Sequence, residues 1–183
     1  MTRPVGALRQ ATMRDIPEVL RLGEYMYASV GINVDLTWRD LGRAQLESRL
    51  GSDLLGWVID DAEVAGSLAA CGFVNRASRL PLPGAQSPVR GYVQWVVTDP
   101  KWQRQGLALA IMGAIMDWAV GEGVDALDLY SSPTARALYL SIGFRFSPEV
   151  EYPPGVLGVP MQWRARRTHE GPARPSGHVG GDA

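Results

Sequence analysis

The sequence predicts a single mixed α/β domain in which helices cover both faces of a central sheet. Segments with apolar residues three or four positions apart alternate with short runs rich in Val, Leu and Ile, and Gly, Pro or Asp separates them. The 183 residues are 46% hydrophobic and 20% charged, which is typical of a globular protein. We expect one domain over residues 1–165, with the element order β-α-α-β-β-β-α-β-α-β-β.

A short strand and a helix begin the chain. The strand is predicted at Val5–Ala11. Asp15 and Glu18 have the spacing of a capping box, and Pro17 suits the first helical turn. Gly31 ends this helix. Its apolar stripe consists of Val19, Leu22, Met26 and Val30.

A second helix and a β-hairpin follow. The helix spans about residues 37–50 and ends at Gly51. Two strands, Leu54–Ile59 and Val64–Val74, flank turn residues 60–63, and this spacing predicts an antiparallel pair. The apolar positions of the helix are Leu41, Ala44, Leu46 and Leu50.

A loop, a strand and an apolar helix occupy the middle of the chain. Residues 75–88 contain three prolines and little periodicity, so we expect a long loop. Gly91–Thr98 is a predicted strand, and its mostly apolar second half is typical of the centre of a sheet. Leu107–Val120 has hardly any polar position, so we expect this helix to be covered on most sides.

The last elements are a strand, a helix and two further strands. The strand is predicted at Val124–Tyr130. Ser132 and Pro133 then cap a helix over Thr134–Ile142. Gly143 ends that helix. Two more strands, Phe144–Phe146 and about Val159–Trp163, flank an extended proline-rich crossing over residues 147–160.

Charge, cysteine and histidine content exclude several classes of protein. A net charge of −1 offers no general field that would attract nucleic acid or an anionic membrane. The single cysteine, Cys71, has no disulfide or metal-ligand companion, so we expect it in the core and expect no metal site. His169 and His178 lie in residues 166–183, a tail that we expect to be disordered, which leaves the domain without a histidine for a triad. With no signal-like or membrane-length apolar segment, a cytoplasmic location is expected.

The run from Val96 to Ala108, VVTDPKWQRQGLA, predicts an anion site. An apolar strand breaks at Asp99 and Pro100, and a helix starts with Gly106 in its first turn. Amides in the first turn of a helix lack internal partners and lie at the positive end of the helix dipole. Main chain alone can therefore hold a phosphate here, and Gly106 and Ala108 keep large side chains away from it.

Two segments resemble the GNAT superfamily of N-acetyltransferases. Gln103-x-x-Gly106-x-Ala108 resembles the family's signature for acyl-CoA pyrophosphate, (Arg/Gln)-x-x-Gly-x-(Gly/Ala), and follows a strand as it does there. Residues 135–144, ARALYLSIGF, resemble the family's Ala-x-x-Leu-Tyr-x-x-x-Gly-Phe segment. The element order is also the family's, so the resemblance extends to about Arg164. It implies a GNAT-like fold with a mixed, mostly antiparallel central sheet.

The resemblance implies acyl transfer from acetyl-CoA, as co-substrate, to a primary amine. The segment before the helix would hold the pyrophosphate. The strand before it would splay at a bulge, and a Val96 or Val97 N–H would hold the thioester oxygen. Tyr139 would be the general acid for the departing sulfur, with an ordinary pKa near 10 sufficing. The implied CoA-binding residues are Val96, Val97, Thr98, Gln103, Arg104, Gln105, Gly106, Leu107 and Ala108.

The base for the acceptor amine stays open. Where some relatives carry a glutamate early on the central strand, this chain has Gly91, Tyr92 and Gln94. Either a water held by Tyr92 or Gln94 takes the proton, or a carboxylate such as Glu24 or Glu151 does.

The acceptor side is expected at the first two helices. In the family their connection, here residues 31–36, covers the acceptor side. We expect the loops around Arg79 and Tyr152 to contribute to acceptor specificity as well. Tyr25, Tyr27 and Trp38 are candidates for the pocket lining. We expect a small-molecule amine as partner and leave a homodimer open. The alternatives are a protein N-terminus or lysine as acceptor, or a non-catalytic acyl-CoA sensor.

Overall fold

One sheet organises the protein. The computed structural model describes residues 6–78, 80, 87–147 and 158–165. Its strands are β1 (Leu8–Gln10), β2 (Leu54–Asp60), β3 (Leu68–Ser78), β4 (Val89–Thr98), β5 (Ala126–Ser131), β6 (Arg145–Phe146) and β7 (Val159–Arg164). In the described part they form a seven-stranded sheet in the order β1-β2-β3-β4-β5-β7-β6. Among these described strands only the β4–β5 pair is parallel, so the predicted mixed, mostly antiparallel sheet is confirmed.

Helices cover both faces of this sheet, as predicted. They are α1 (Ile16–Ser29), α2 (Leu36–Arg49), α3 (Leu107–Gly121) and α4 (Arg136–Ser141). The first two pack on one face over a cluster that includes Leu22 and Phe73, and the last two pack on the other over a cluster that includes Ile111. None of the described helices is long and apolar enough to cross a membrane.

The observed element order confirms the predicted one. The central place of β4 is also confirmed. Cys71 is fully buried in β3, as expected, and burial raises the pKa of its thiol to about 12. The expectations for Arg79, Glu151, Tyr152 and the tail over residues 166–183, and most of the expected crossing, lie outside the described residues.

The first cap differs from the prediction. The Asp15 carboxylate accepts hydrogen bonds from the amide and the hydroxyl of Thr12, at 2.7 and 2.9 Å, and so closes a 3-10 turn before α1. Glu18 accepts a hydrogen bond from the amide of Leu68 at 3.0 Å. The predicted Asp15–Glu18 box is wrong, because an earlier threonine and a distant strand engage the two carboxylates.

The turn between β2 and β3 is longer than predicted. Residues 61–67 connect the strands, and Val64 belongs to this turn rather than to β3. The Asp61 carboxylate accepts hydrogen bonds from the amides of Glu63 and Val64 at 2.7 and 3.1 Å. These local bonds hold the chain out of the strand, although Val64 is apolar.

Helix α3 is more exposed than predicted. Ile111 and Ile115 are fully buried against the sheet, but Leu109 and Val120 are 47% and 63% exposed. The prediction that this helix is covered on most sides is therefore wrong on one flank. The reason is that, among the described residues, the sheet and α4 supply partners on one side of the helix only.

Candidate active site

A β-bulge interrupts β4. The register shifts between Cys71 and Phe73 of β3, so that two residues of β4, Trp95 and Val96, lie opposite Gly72. Trp95 has a φ of 52°, in the left-handed region that bulky residues rarely adopt. A bulge of this kind breaks the regular ladder and bends the strand.

Strands β4 and β5 separate after two residue pairs. Gly91 pairs with Leu127 and Tyr92 with Asp128, and the described residues show no further pairing between these strands. Among the described residues, no strand therefore lies beside Val93–Thr98 on the side that faces β5. This is the splayed geometry that the family resemblance implies.

Two amides of β4 face this opening. The Asp99 N–H donates to the carbonyl of Ala69 at 2.8 Å and so points toward β3. Because successive amides of a strand alternate between its two edges, the Val97 N–H also points toward β3. The N–H groups of Thr98 and Val96 then point into the opening.

The loop that enters α3 presents consecutive main-chain amides. Arg104 and Gly106 have φ values of 63° and 81°, so two left-handed residues curl the chain before Leu107 begins the helix. Within the described ranges, no group accepts a hydrogen bond from the amides of residues 104–108. A Cβ built on Gly106 would meet no atom within 4 Å. Open N–H groups in a segment without a carboxylate fit a diphosphate.

The side chains around this loop anchor it to α1. Gln103 donates from Nε2 to the hydroxyl of Tyr25 at 3.0 Å. Asp99 accepts a hydrogen bond from Arg21 at 2.7 Å. Arg104 is exposed beside the open amides. Arg104 can therefore add a charge-assisted contact to an anion held there.

A buried tryptophan and an aspartate fix the approach to this loop, and sequence reasoning missed both. Trp102 is fully buried, and its indole N–H donates to Asp61 at 2.8 Å. Lys101 lies 3.4 Å from the same carboxylate. Burial alone would raise the pKa of the Asp61 carboxyl, but hydrogen bonds from Trp102, the turn amides and Lys101 lower it to about 2. The signal in the sequence was a tryptophan inside an otherwise polar stretch.

Acid should weaken the fold through Asp61. Its folded pKa of about 2 lies below the ordinary 3.8, so the charged carboxylate stabilises the fold above the ordinary pKa, and this contribution is lost as the pH falls toward 2. Thermal unfolding of the unmodified protein and of Asp61→Asn should give a larger Tm difference near pH 6 than near about pH 2.5. An equal difference at both pH values would contradict the assignment.

Helix α4 places Tyr139 in the core on the α3 side of the sheet. Its side chain is 6% exposed and packs on Phe144, with ring centroids 5.7 Å apart. The hydroxyl has no hydrogen-bond partner among the residues that the structure describes. Burial raises the pKa of this phenol to about 12, so the expectation of an ordinary pKa is corrected.

The candidate bases lie in different surroundings. Tyr92 is partly buried and packs edge-on against Tyr130 at 6.1 Å, and burial raises its pKa. Gln94 lines a cavity between α2 and the sheet. Glu24 forms an ion pair with Arg39 at 2.5 Å.

Only one of the three candidate pocket aromatics lines that cavity. Trp38 does so and stacks on Trp95, with ring centroids 5.4 Å apart and planes 20° from parallel. Tyr27 packs edge-on against Trp38, with ring centroids 5.5 Å apart, and does not line the cavity. Tyr25 instead accepts the hydrogen bond from Gln103 described above.

Solved structures share this fold. A predicted acetyltransferase from Clostridium acetobutylicum, crystallised with acetyl-CoA, superposes with a TM-score of 0.72 at 18% identity over 80% of this chain and 94% of its own. A GCN5-related N-acetyltransferase from Ralstonia eutropha gives 0.67 at 21% identity over 80% and 97%. N-acetylglutamate synthase from Neisseria gonorrhoeae, complexed with coenzyme A and N-acetyl-glutamate, gives 0.62 at 21% identity over 91% of this chain but 36% of its own.

The sequence comparison identifies a family as well as a fold. No curated protein matches the chain. A family model, the acetyltransferase (GNAT) domain, matches residues 44–165, about two thirds of the chain. The matched range runs from α2 to the end of β7 and contains the bulge, the open amides and Tyr139. The chain therefore belongs to the GNAT family, and it is an acyltransferase that uses acetyl-CoA.

Proposed function

We propose that this protein transfers the acetyl group of acetyl-CoA to the primary amine of a small molecule, by direct attack in a ternary complex. The observation that carries the proposal is the opening between β4 and β5, which ends beside a row of unpaired amides at the start of α3. The opening exposes strand amides, and the row of amides exposes donors for an anion. The thioester supplies an activated acetyl group. The chain's own residues would bind the CoA, hold the thioester oxygen and move the protons.

The start of α3 would hold the diphosphate. The amides of Arg104, Gln105, Gly106, Leu107 and Ala108 are the donors, and the helix dipole favours a negative charge there. The Arg104 guanidinium would strengthen the contact. Because Gln103 is tied to Tyr25, we assign its side chain to shaping the loop as well as to binding.

The bulged strand would hold the pantetheine and the thioester oxygen. The Val96 N–H points into the opening, which favours it over Val97 as the oxyanion donor, and Thr98 offers a second amide. Val97, whose N–H and carbonyl both face β3, would contribute its packing in the core. A preorganised donor of this kind contributes roughly 3 to 4 kcal/mol to lowering the barrier.

Tyr139 would protonate the departing sulfur. Its hydroxyl has no partner among the described residues and is therefore available to donate. A pKa of about 12 keeps the phenol protonated at neutral pH. A thiolate gains from protonation as it leaves, because its own pKa is about 8.5.

A water held by Tyr92 or Gln94 would accept the proton of the acceptor amine. Gln94 faces the cavity, and an amide side chain can orient a water. Glu24 is the weaker candidate because its carboxylate is already paired with Arg39. Glu151 lies outside the described residues, so this assignment concerns the others.

The cavity beside β4 supports a small acceptor over a protein. Small-molecule sites are concave and mostly apolar, as this cavity is. A small acceptor is also in keeping with the N. gonorrhoeae neighbour, which was crystallised with coenzyme A and N-acetyl-glutamate and matches this chain over 36% of its own length.

Release of free CoA from acetyl-CoA tests the proposal. A panel of small primary amines should give turnover, and peptides that present an N-terminal amine or a lysine should give much less. Turnover on peptides alone would favour protein acetylation. Acetyl-CoA binding by calorimetry without turnover on any acceptor would favour the sensor, and no binding at all would refute the site.

A further inference from the structure

A cavity of about 260 Å³ lies between α2 and the sheet. Its wall is mostly apolar and aromatic. Leu41 lies on its rim and is 64% exposed, so the cavity is open to solvent there. The lining includes Trp38, Leu46, Leu54, Phe73, Gln94 and Trp95.

The β4 bulge builds one wall of this cavity. Side chains of a regular strand alternate between the two faces of the sheet. Gln94 and Trp95 are consecutive, yet both line the cavity, because the bulge breaks the alternation between them. The next residue is Val96, whose amide faces the opening. An acceptor nitrogen that reaches the thioester there would have this cavity one residue away along β4.

The aromatic wall is held rigidly. Trp38 and Trp95 stack, Gly23 makes room for this pair, and Gly42 makes room for Leu20. A Cβ on Gly23 would lie 2.9 Å from the Trp95 ring and 3.0 Å from the Trp38 ring. A Cβ on Gly42 would lie 2.9 Å from Leu20. Close packing of this kind keeps the stacked face in place before any ligand arrives.

The described residues that line the cavity carry no unpaired charge. Arg49 lines it, but its guanidinium pairs with Asp53 at 2.6 Å and donates to Asn75 at 3.0 Å. Within the part of the chain that the structure describes, the other polar lining residues are the uncharged Gln45 and Gln94, and no lining residue has a carboxylate. Such a wall favours an apolar group over an ammonium or a carboxylate.

We infer that the acceptor carries an aryl group, or an apolar group of similar size, close to its primary amine, and that this group occupies the cavity. The inference rests on the proposed function and names its substrate class. The cavity is large enough for such a group, since an apolar cavity of about 150 Å³ binds benzene. The larger cavity here has room for a phenyl ring and the short linker to the nitrogen.

The matched amines 2-phenylethylamine and ethylamine test the inference. We expect kcat/KM for 2-phenylethylamine to exceed that for ethylamine by roughly tenfold or more, because only the phenyl ring buries apolar area in the cavity. Gln45→Trp places a large side chain at the mouth and should lower this ratio by roughly tenfold. Glu47→Trp is the control on the same helix, because Glu47 is exposed and does not line the cavity. Glu47→Trp should leave the ratio of kcat/KM between the two amines unchanged.

A binding measurement separates this inference from the proposed function. The shift in Tm that 2-phenylethylamine causes in the CoA-loaded protein needs no catalysis. A shift that Gln45→Trp abolishes and Glu47→Trp retains supports the cavity site even if no amine is acetylated. Turnover with equal kcat/KM for both amines would overturn the inference and leave the proposed function standing. The absence of a Tm shift with 2-phenylethylamine would also overturn the inference.

Discussion

Tyr139→Phe is expected to lower kcat by roughly tenfold or more, about 1.4 kcal/mol of barrier, while acetyl-CoA binds nearly as well as to the unmodified protein. Phenylalanine keeps the ring that packs on Phe144 and removes only the hydroxyl. The sulfur would then leave without a positioned proton donor. General acids in enzymes contribute by about this factor or more.

The pH dependence of the unmodified enzyme provides a second check on Tyr139. Since burial raises the pKa of Tyr139 to about 12, ionisation of this phenol should cause no loss of kcat between about pH 7 and pH 10. An alkaline fall in that range that Tyr139→Phe removes would contradict the assigned pKa.

The controls for Tyr139→Phe are affinity and folding. The Kd for acetyl-CoA by calorimetry and the Tm should both stay close to those of the unmodified protein. An unchanged kcat in a folded variant would remove Tyr139 as the acid.

Gly106→Ala is expected to raise the Kd for acetyl-CoA by roughly tenfold or more, which corresponds to about 1.4 kcal/mol. Gly106 has a φ of 81°, and a side chain there costs about 1 to 2 kcal/mol, so the loop will tend to leave the conformation that aligns its amides. The added methyl group would also occupy the open space in front of those amides. Titration calorimetry with acetyl-CoA measures the effect.

Gly123→Ala is the matched control for Gly106→Ala. Gly123 also has a positive φ, 66°, and open space around its Cβ position, but it follows the opposite end of α3. It should cost similar stability and leave the Kd for acetyl-CoA nearly unchanged. Equal Kd changes in the two variants would show that general strain in the fold weakens binding, and not a change at the open amides before α3.

Local signals in the sequence were sufficient for the order of elements and for the start of α3. The break at Asp99 and Pro100 and the glycine at 106 act through the chain's own backbone, so a reader of the sequence can place them. The same holds for Gly31 and Gly143, which end helices at positive φ values of 79° and 97°. Membership of the GNAT family followed from segments of this local kind.

Competition between partners explains the local predictions that were wrong. Asp15 and Glu18 had the spacing of a capping box, but Thr12 and the amide of Leu68 engage them in the fold. Val64 had the apolar character of a strand residue, but the Asp61 carboxylate holds its amide in a turn. A residue's spacing does not reveal which of several partners it will meet.

The sequence by itself determined the kinds of element, their order and the anion-binding entrance to α3, because each depends on residues a few positions apart. Tertiary structure decided the bulge at Trp95, the raised pKa of Tyr139, the anchoring of Trp102 by Asp61 and the cavity beside Trp38. Each of these depends on contacts between residues far apart in the chain, and register and burial exist only once those contacts have formed.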